Sequence, residues 1–552
     1  MTRVAQPPLA GRHVTPAAVR PAASVVSTAV GTGTMLRFVL RRNWLRMLIW
    51  IIVLAGMVPL VYSSQQEAFP TQAARDAYAQ VANTPSVAAL TGLPYAAGSL
   101  GGILVIKLWM TLAVGMAFAV VFLVTRNGRA DEEAGRTELL RAGVLGRHAP
   151  TLATAAATAA FSAVMGLAIT ALALACGLDG GGSWTLGASI AGTGIAFTGV
   201  ALLCGQLTQT SRAANALGSV IIALAYLVRA IADVGATDAT PHPLSWASPI
   251  GWAQNMRAYG DENWWPFALL VALGAIGCCA ALAIESRRDL GAGVLPQRPG
   301  RARAGAVLGS PLGLLTRLLI GPMIGWLVGA TLFGAFFGGV ALKMVDVLEP
   351  GSAYAIAFAG RGDPLAGILG LFSMVNGMLA GGFAVQAVCA ARIEEANGRL
   401  EAQLATALSR TRWLGAPIVL ALVWSALMLT CSGAALAGSY GKAGAFGELV
   451  AASLSYLPAC VVLIGIAVFT LGWLPRLSIT ISWALYGAFV VVAMFGPLLR
   501  VPDDVVNTTI FAATPRLPAD DPQATPLIVL NLVGIVLAAL GLWRFRRRDI
   551  PA

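Results

Sequence analysis

Residues 129–147 read RADEEAGRTELLRAGVLGR, and residues 392–410 read RIEEANGRLEAQLATALSR. Aligned without gaps at an offset of 263, they share Arg129/Arg392, Glu132/Glu395, Gly135/Gly398, Arg136/Arg399 and Glu138/Glu401. Ala142/Ala405, Leu145/Leu408 and Arg147/Arg410 also match, and Asp131/Glu394 is a like-for-like exchange. Only 11% of the 552 residues are charged, so Arg and Glu repeated at identical spacing are a poor candidate for coincidence. The match implies a tandem duplication. A weaker echo pairs Ser248-Pro249 with Thr514-Pro515.

The rest of the chain says what was duplicated. Hydrophobic residues make up 57% of it, with mean hydropathy +0.76. A soluble domain carries about 25% charged residues, so soluble enzymes, DNA-binding proteins and secreted disulfide scaffolds are excluded. Apolar runs long enough to cross a bilayer lie near 44–62, 104–124, 150–176, 187–207, 217–234 and 266–284. A second set lies near 318–341, 366–390, 414–437, 447–472, 477–499 and 526–543. Each copy of the repeated stretch falls between the second and third run of its set. The expected fold is an all-α polytopic membrane protein of about twelve transmembrane helices, arranged as two pseudo-symmetric six-helix halves. Because each half has an even number of spans, the halves have parallel topology. The expected divisions are a disordered cytoplasmic segment (1–34), a first half (35–290), a cytoplasmic linker and connecting helix (291–317) and a second half (318–552). The first 34 residues lack the apolar core and small-residue cleavage site of a signal peptide.

Charge sets the orientation. Of the 37 Lys and Arg residues, 28 fall on the side that carries both termini and the repeated stretches, and seven on the other. Positive charge stays inside, so both termini are expected in the cytoplasm of a multi-pass plasma-membrane protein. The net charge of +12 is then an orientation signal and an attraction for anionic membrane lipids, not a nucleic-acid footprint.

The repeated stretches contain seven of the ten acids expected on the cytoplasmic side. On a continuous helix Arg129, Glu132 and Arg136 would form one charged stripe, as would Arg392, Glu395 and Arg399. The bland alternative is a solvated, self-paired surface helix. Duplication favours a docking element presented twice to a two-fold symmetric partner. Its expected contact residues are Arg129, Glu132, Glu133, Gly135, Arg136 and Glu138, with Arg392, Glu394, Glu395, Gly398, Arg399 and Glu401. The two glycines would serve either close backbone approach or a simple turn.

Polar residues inside the spans are few. Lys107 reads as a snorkelling residue at a span's outer end. Arg229 and Asp233, four apart, read as a pair, and Asn376 and Gln386 as amides bonded across helices. Trp109 and Phe372 are equivalent by the 263 offset. With Asn376 and Arg229 they are candidates to line a substrate path, although core packing is the commoner use of such aromatics. The seven cysteines lack metal or disulfide spacing, and His13, His148 and His242 form no zinc pattern. No catalytic constellation or metal site is expected.

Taken together, the stretch EEAGRTELLRA after the second span, its copy EEANGRLEA and the two six-span halves resemble permeases of the ABC-2 exporter class. The resemblance is greatest to the fused, double-length actinobacterial polyketide or tetronasin-type antibiotic exporters. It implies that 129–147 and 392–410 are coupling helices that contact an ATPase. It also implies an amphipathic connecting helix at 35–47, with a degenerate counterpart near 310–318. The second copy departs after Glu401, where Leu-Leu-Arg becomes Ala-Gln-Leu. Gly441-Lys442 lacks the upstream glycine of a nucleotide-binding loop, so ATP and Mg would sit on a separate ATPase subunit, two copies per permease. The cargo expected from the apolar spans and the resemblance is a hydrophobic drug, antibiotic or lipid-like metabolite. The alternatives are a proton-driven twelve-span antiporter, which should carry buried coupling acids, and a non-transporting scaffold or sensor.

Overall fold

Ser99, Asp179, Asp363 and Ser409 each stand just before an apolar run, and each caps the helix that follows. Their side chains accept the backbone N–H of Gly102 (3.0 Å), Gly182 (3.0 Å), Leu365 (3.0 Å) and Arg412 (3.3 Å). The computed structural model describes residues 28–83, 88, 91–142, 145–234, 236, 240–295, 305–347, 363–442, 444–496 and 501–549. Those residues form an all-α polytopic membrane protein without strands. Eleven of their helices are long and apolar enough to cross a membrane. The chain divides into two compact units between Pro299 and Gly300.

The first unit contains α1 (Thr32–Ala68), α2 (Gln72–Ala82), α3 (Leu100–Asn127), α4 (Arg129–Glu133), α5 (Arg136–Arg141) and α6 (Ala149–Ala175). It continues with α7 (Gly180–Leu207), α8 (Ser211–Val234), α9 (Pro249–Gln254) and α10 (Trp265–Glu285). Helix α7 is central, packed along α3, α6 and α10. Small residues make this possible: a Cβ on Gly277 would collide with the backbone of Gly199 across the α7–α10 contact. Ile52, Leu224, Ile231 and Ile276 point outward, the apolar surface that lipid requires.

The second unit contains α11 (Pro311–Val347), α12 (Pro364–Ala396), α13 (Arg399–Leu404), α14 (Arg410–Tyr440) and α15 (Ala445–Leu454). It continues with α16 (Leu457–Trp473), α17 (Ser478–Phe495), α18 (Asp503–Asn507) and α19 (Ala524–Arg547). Helix α12 is the most enclosed of the spans. Helix α11 packs along α14, and α16 along α19, where Gly465 meets the Gly534 backbone.

Three expectations change. The connecting helix at 35–47 is not separate from the first span, because no residue interrupts the helix and both lie within α1; 310–318 likewise opens α11. Both composite helices have 37 residues. The run 447–472 is two helices broken at Ser455-Tyr456, just before Pro458, whose ring and missing N–H oppose a continuous helix. The run 477–499 yields α17, only 18 residues long, or about 27 Å of helix. The Ser248-Pro249 echo is unequal as well. Ser248 caps α9, while Thr514 only returns a bond to the Ile510 carbonyl. The N-terminal segment through residue 27, the linker at 296–304 and loop residues 348–362 lie outside the described residues.

Candidate functional site

In the first loop, α4 stops at Ala134, because Gly135 takes the left-handed conformation (φ +70°) before α5 begins. A Cβ there would meet nothing within 4 Å, so within its own unit the glycine serves the turn. The break corrects the single stripe expected from spacing. Arg129 pairs with Glu132 (2.8 Å) as expected, but Arg136 turns back to Asp131 (2.8 Å).

The paired residues point inward. Arg129 is buried, with its guanidinium donating to the carbonyls of Gly205 and Ala292 as well as to Glu132. The other Glu132 oxygen accepts from Arg288 Nη2 at 2.6 Å. Arg42 of α1 grips both oxygens of Asp131, at 2.5 and 3.0 Å. Glu133 accepts from the backbone N–H and hydroxyl of Ser211 (3.0 and 2.7 Å), a carboxylate at the start of α8 where the helix dipole favours it. Arg136, Glu138 and Leu139 are left facing outward.

The second loop repeats the plan. Gly398 has φ +71°, Arg399 turns back to Glu394 (2.7 Å), and Arg392 lies 3.4 Å from Glu395. Arg548 donates to Glu395 at 2.7 Å. Each unit therefore holds an Arg–Glu–Arg clamp: Arg129–Glu132–Arg288 in one and Arg392–Glu395–Arg548 in the other. Arg399 and Glu401 face outward. The sequence reading missed Arg288, Arg548, Arg42 and Ser211. For the first two a signal existed, since Arg-Arg-Asp recurs at 287–289 and 547–549, at the end of the last helix of each unit.

The candidate path residues are packed within their own units. Trp109 is buried and donates to Ser189 on α7 (2.9 Å). Phe372 sits in an aromatic cluster with Phe333 and Phe337. Arg229 and Asp233 pair at 2.9 Å, fully buried, and Gln254 of α9 donates to the same carboxylate. Of the two amides, Gln386 accepts from Trp326 across helices (2.6 Å), whereas among the described residues neither amide atom of buried Asn376 finds a partner. Lys107 lies over the rings of Phe69 and Tyr78. In the same unit Tyr259 bonds to Ser183, and burial raises its phenol to about 12, so it acts as a neutral group.

The gap beside the first clamp, lined by Arg129, Glu132, Gln206, Glu285 and Arg288, holds about 40 Å³. That is room for water and not for cargo. Among the described residues no group of three or more His, Cys, Asp or Glu could hold a metal. Each unit offers a polar loop held by ion pairs at the end of a bundle of apolar helices, as a polytopic membrane protein would.

The comparisons narrow this class. The chain is 34% identical over 532 residues, 94% of its own length and 95% of the other, to the multidrug efflux system permease protein Rv1217c of Mycobacterium tuberculosis (strain ATCC 25618 / H37Rv). Residues 308–546 also match the family described as multidrug efflux system permease Rv1217c, C-terminal domain. The chain belongs to this family of multidrug efflux system permeases.

Proposed function

We propose that this permease moves hydrophobic drugs, antibiotics or lipid-like metabolites out of the cell, in the manner of the ABC-2 class, powered by a separate ATPase. Two ATPase copies bind beneath it, holding ATP and Mg, and the different ATP affinities of its two states drive alternation. Both termini are cytoplasmic in this reading, which the unequal partition of the 37 basic residues supports.

The observation that carries the reading is the repeated loop. In each copy a largely buried Arg–Glu–Arg clamp fixes a short helix whose outer residues, Arg136 and Glu138 or Arg399 and Glu401, are exposed. Ten of the twelve expected contact residues divide by role, while Glu133 and Glu394 are held by Ser211 and Arg399. Arg129, Glu132, Arg392 and Glu395 position the loops, Gly135 and Gly398 turn them, and the outward charges meet the ATPase. Charge complementarity of this kind sets register more than affinity. The kinship with a multidrug efflux permease supports the cargo class.

The test is charge reversal. Glu138→Lys combined with Glu401→Lys should weaken ATPase pull-down and drug-stimulated ATP hydrolysis by up to about thirtyfold, while the permease inserts normally. Either change alone should cost less, since each exposed contact is worth about 0–1 kcal/mol. Normal pull-down and export by the double variant would remove the docking assignment. Export by the chain alone, driven by a pH gradient and insensitive to vanadate, would replace the ATPase reading with a proton antiporter.

A further inference from the structure

Most arginines at the loop end of the first unit are satisfied by acids or carbonyls: Arg42, Arg129, Arg136 and Arg288 all are. Arg46 of α1 and Arg126 of α3 face a common groove, and among the described residues neither makes an ion pair. They lie within electrostatic reach of each other, the nearby charge of Arg42 being matched by its grip on Asp131, and among the described residues Arg126 Nε is enclosed without a hydrogen-bond partner. Together they line a groove of about 240 Å³ whose remaining walls include Met47, Trp50, Phe122 and Phe161. Phe122 is 43% exposed, and Trp44, Leu45 and Ile49 of α1 are exposed as well. The groove therefore opens onto the apolar, membrane-facing surface.

Two like charges beside each other in an apolar groove are costly unless an anion joins them. The required occupant has an anionic head sized to two guanidinium groups and an apolar body to lie along Trp50, Phe122 and Phe161. We propose that this groove binds an anionic phospholipid, its phosphate between Arg46 and Arg126 and its first acyl carbons against the aromatic wall. Arginine suits the role because its planar fork meets phosphate oxygens in pairs. The second unit supplies a contrast. Its groove between the equivalent helices α11, α12 and α14 is lined by Leu314, Leu315, Leu318 and Pro417, with Glu394 and no arginine. An anionic head has nothing to bind there.

The experiment uses the full chain in neutral detergent, mixed with phosphatidylglycerol or phosphatidylcholine, with retained lipid counted by native mass spectrometry. Wild type should retain phosphatidylglycerol in preference. Each arginine near the headgroups is worth about fivefold, so Arg46→Gln with Arg126→Gln should lower retention about thirtyfold. Phe122→Glu keeps both arginines but sets a carboxylate four residues before Arg126 on the same helix. It should displace the lipid as well, which answers the question if the double variant folds poorly. Arg41→Gln, an exposed arginine of α1 outside the groove, should change nothing. The proposal is overturned if both groove variants retain phosphatidylglycerol like wild type, or if wild type retains the two lipids equally. Displacement by inorganic phosphate alone would also overturn it, because the site would then take a free anion and not a lipid.

Discussion

The two repeated loops share their centre and differ at their edges. Both have the largely buried Arg–Glu–Arg clamp, the left-handed glycine and the arginine that turns back across it. The first loop alone is also gripped by Arg42 of α1 and bonded to Ser211 of α8. In the second, Glu394 pairs with Arg399, 54% of whose side chain is exposed. The clamp is the part that neither copy can lose, because a buried charge without its partner is expensive. The outer anchors have partners near the surface and are cheaper to discard.

Removing the central carboxylate should produce the largest effect and rank the two copies. Glu395→Ala leaves Arg548, only 7% exposed, without its acid, at a cost of about 3 kcal/mol. Glu132→Ala should cost less. Arg129 still donates to the Gly205 and Ala292 carbonyls, and Arg288 to Ala292 and Gln206. Unfolding of both variants in lipid–detergent mixtures would measure the order. Equal losses would mean that those carbonyls do not hold the arginines.

How much of this was legible in the sequence follows from the range of each interaction. The spans were, because hydropathy is local and a bilayer sets their length. The loops were, because charge is rare enough for a 263-residue repeat to stand out. The clamp was only half visible. Arg129–Glu132 lies three residues apart, but Glu132–Arg288 and Glu395–Arg548 bridge more than 150 residues, and no helical periodicity reaches that far. The turn at Gly135 was offered as one of two uses for the glycine, yet the charged stripe was drawn as if the helix ran through it. Hydropathy was equally blind to the break at Ser455-Tyr456, which leaves the residues on either side apolar. Asn376 was expected to bond across helices and finds no partner among the described residues, since an amide in a span announces need and not partner.

A smaller and equal effect is expected at the turns. Gly135 and Gly398 have φ of +70° and +71°, and in neither would a Cβ meet another atom within 4 Å. Alanine should therefore cost about 1 kcal/mol in each, from backbone strain alone. A clear inequality in thermal stability would show that one loop does not keep the left-handed turn.

The smallest effect should come from the anchor that only the first loop has. Arg42→Gln removes a bidentate grip on Asp131, but 21% of the arginine side chain is exposed and Arg136 still reaches the same carboxylate. The cost in global stability should be about 0.5 kcal/mol, discounted for solvent screening. Local opening is the more sensitive measure, because a loop's exchange reports its own anchors and not the whole unit. In wild type, amides of 129–141 should exchange more slowly than those of 392–404. Arg42→Gln should bring the two toward a common rate, since it removes the main anchor by which they differ. If the difference persists at full size, the first loop owes its order to the Ser211 bond with Glu133 and not to α1.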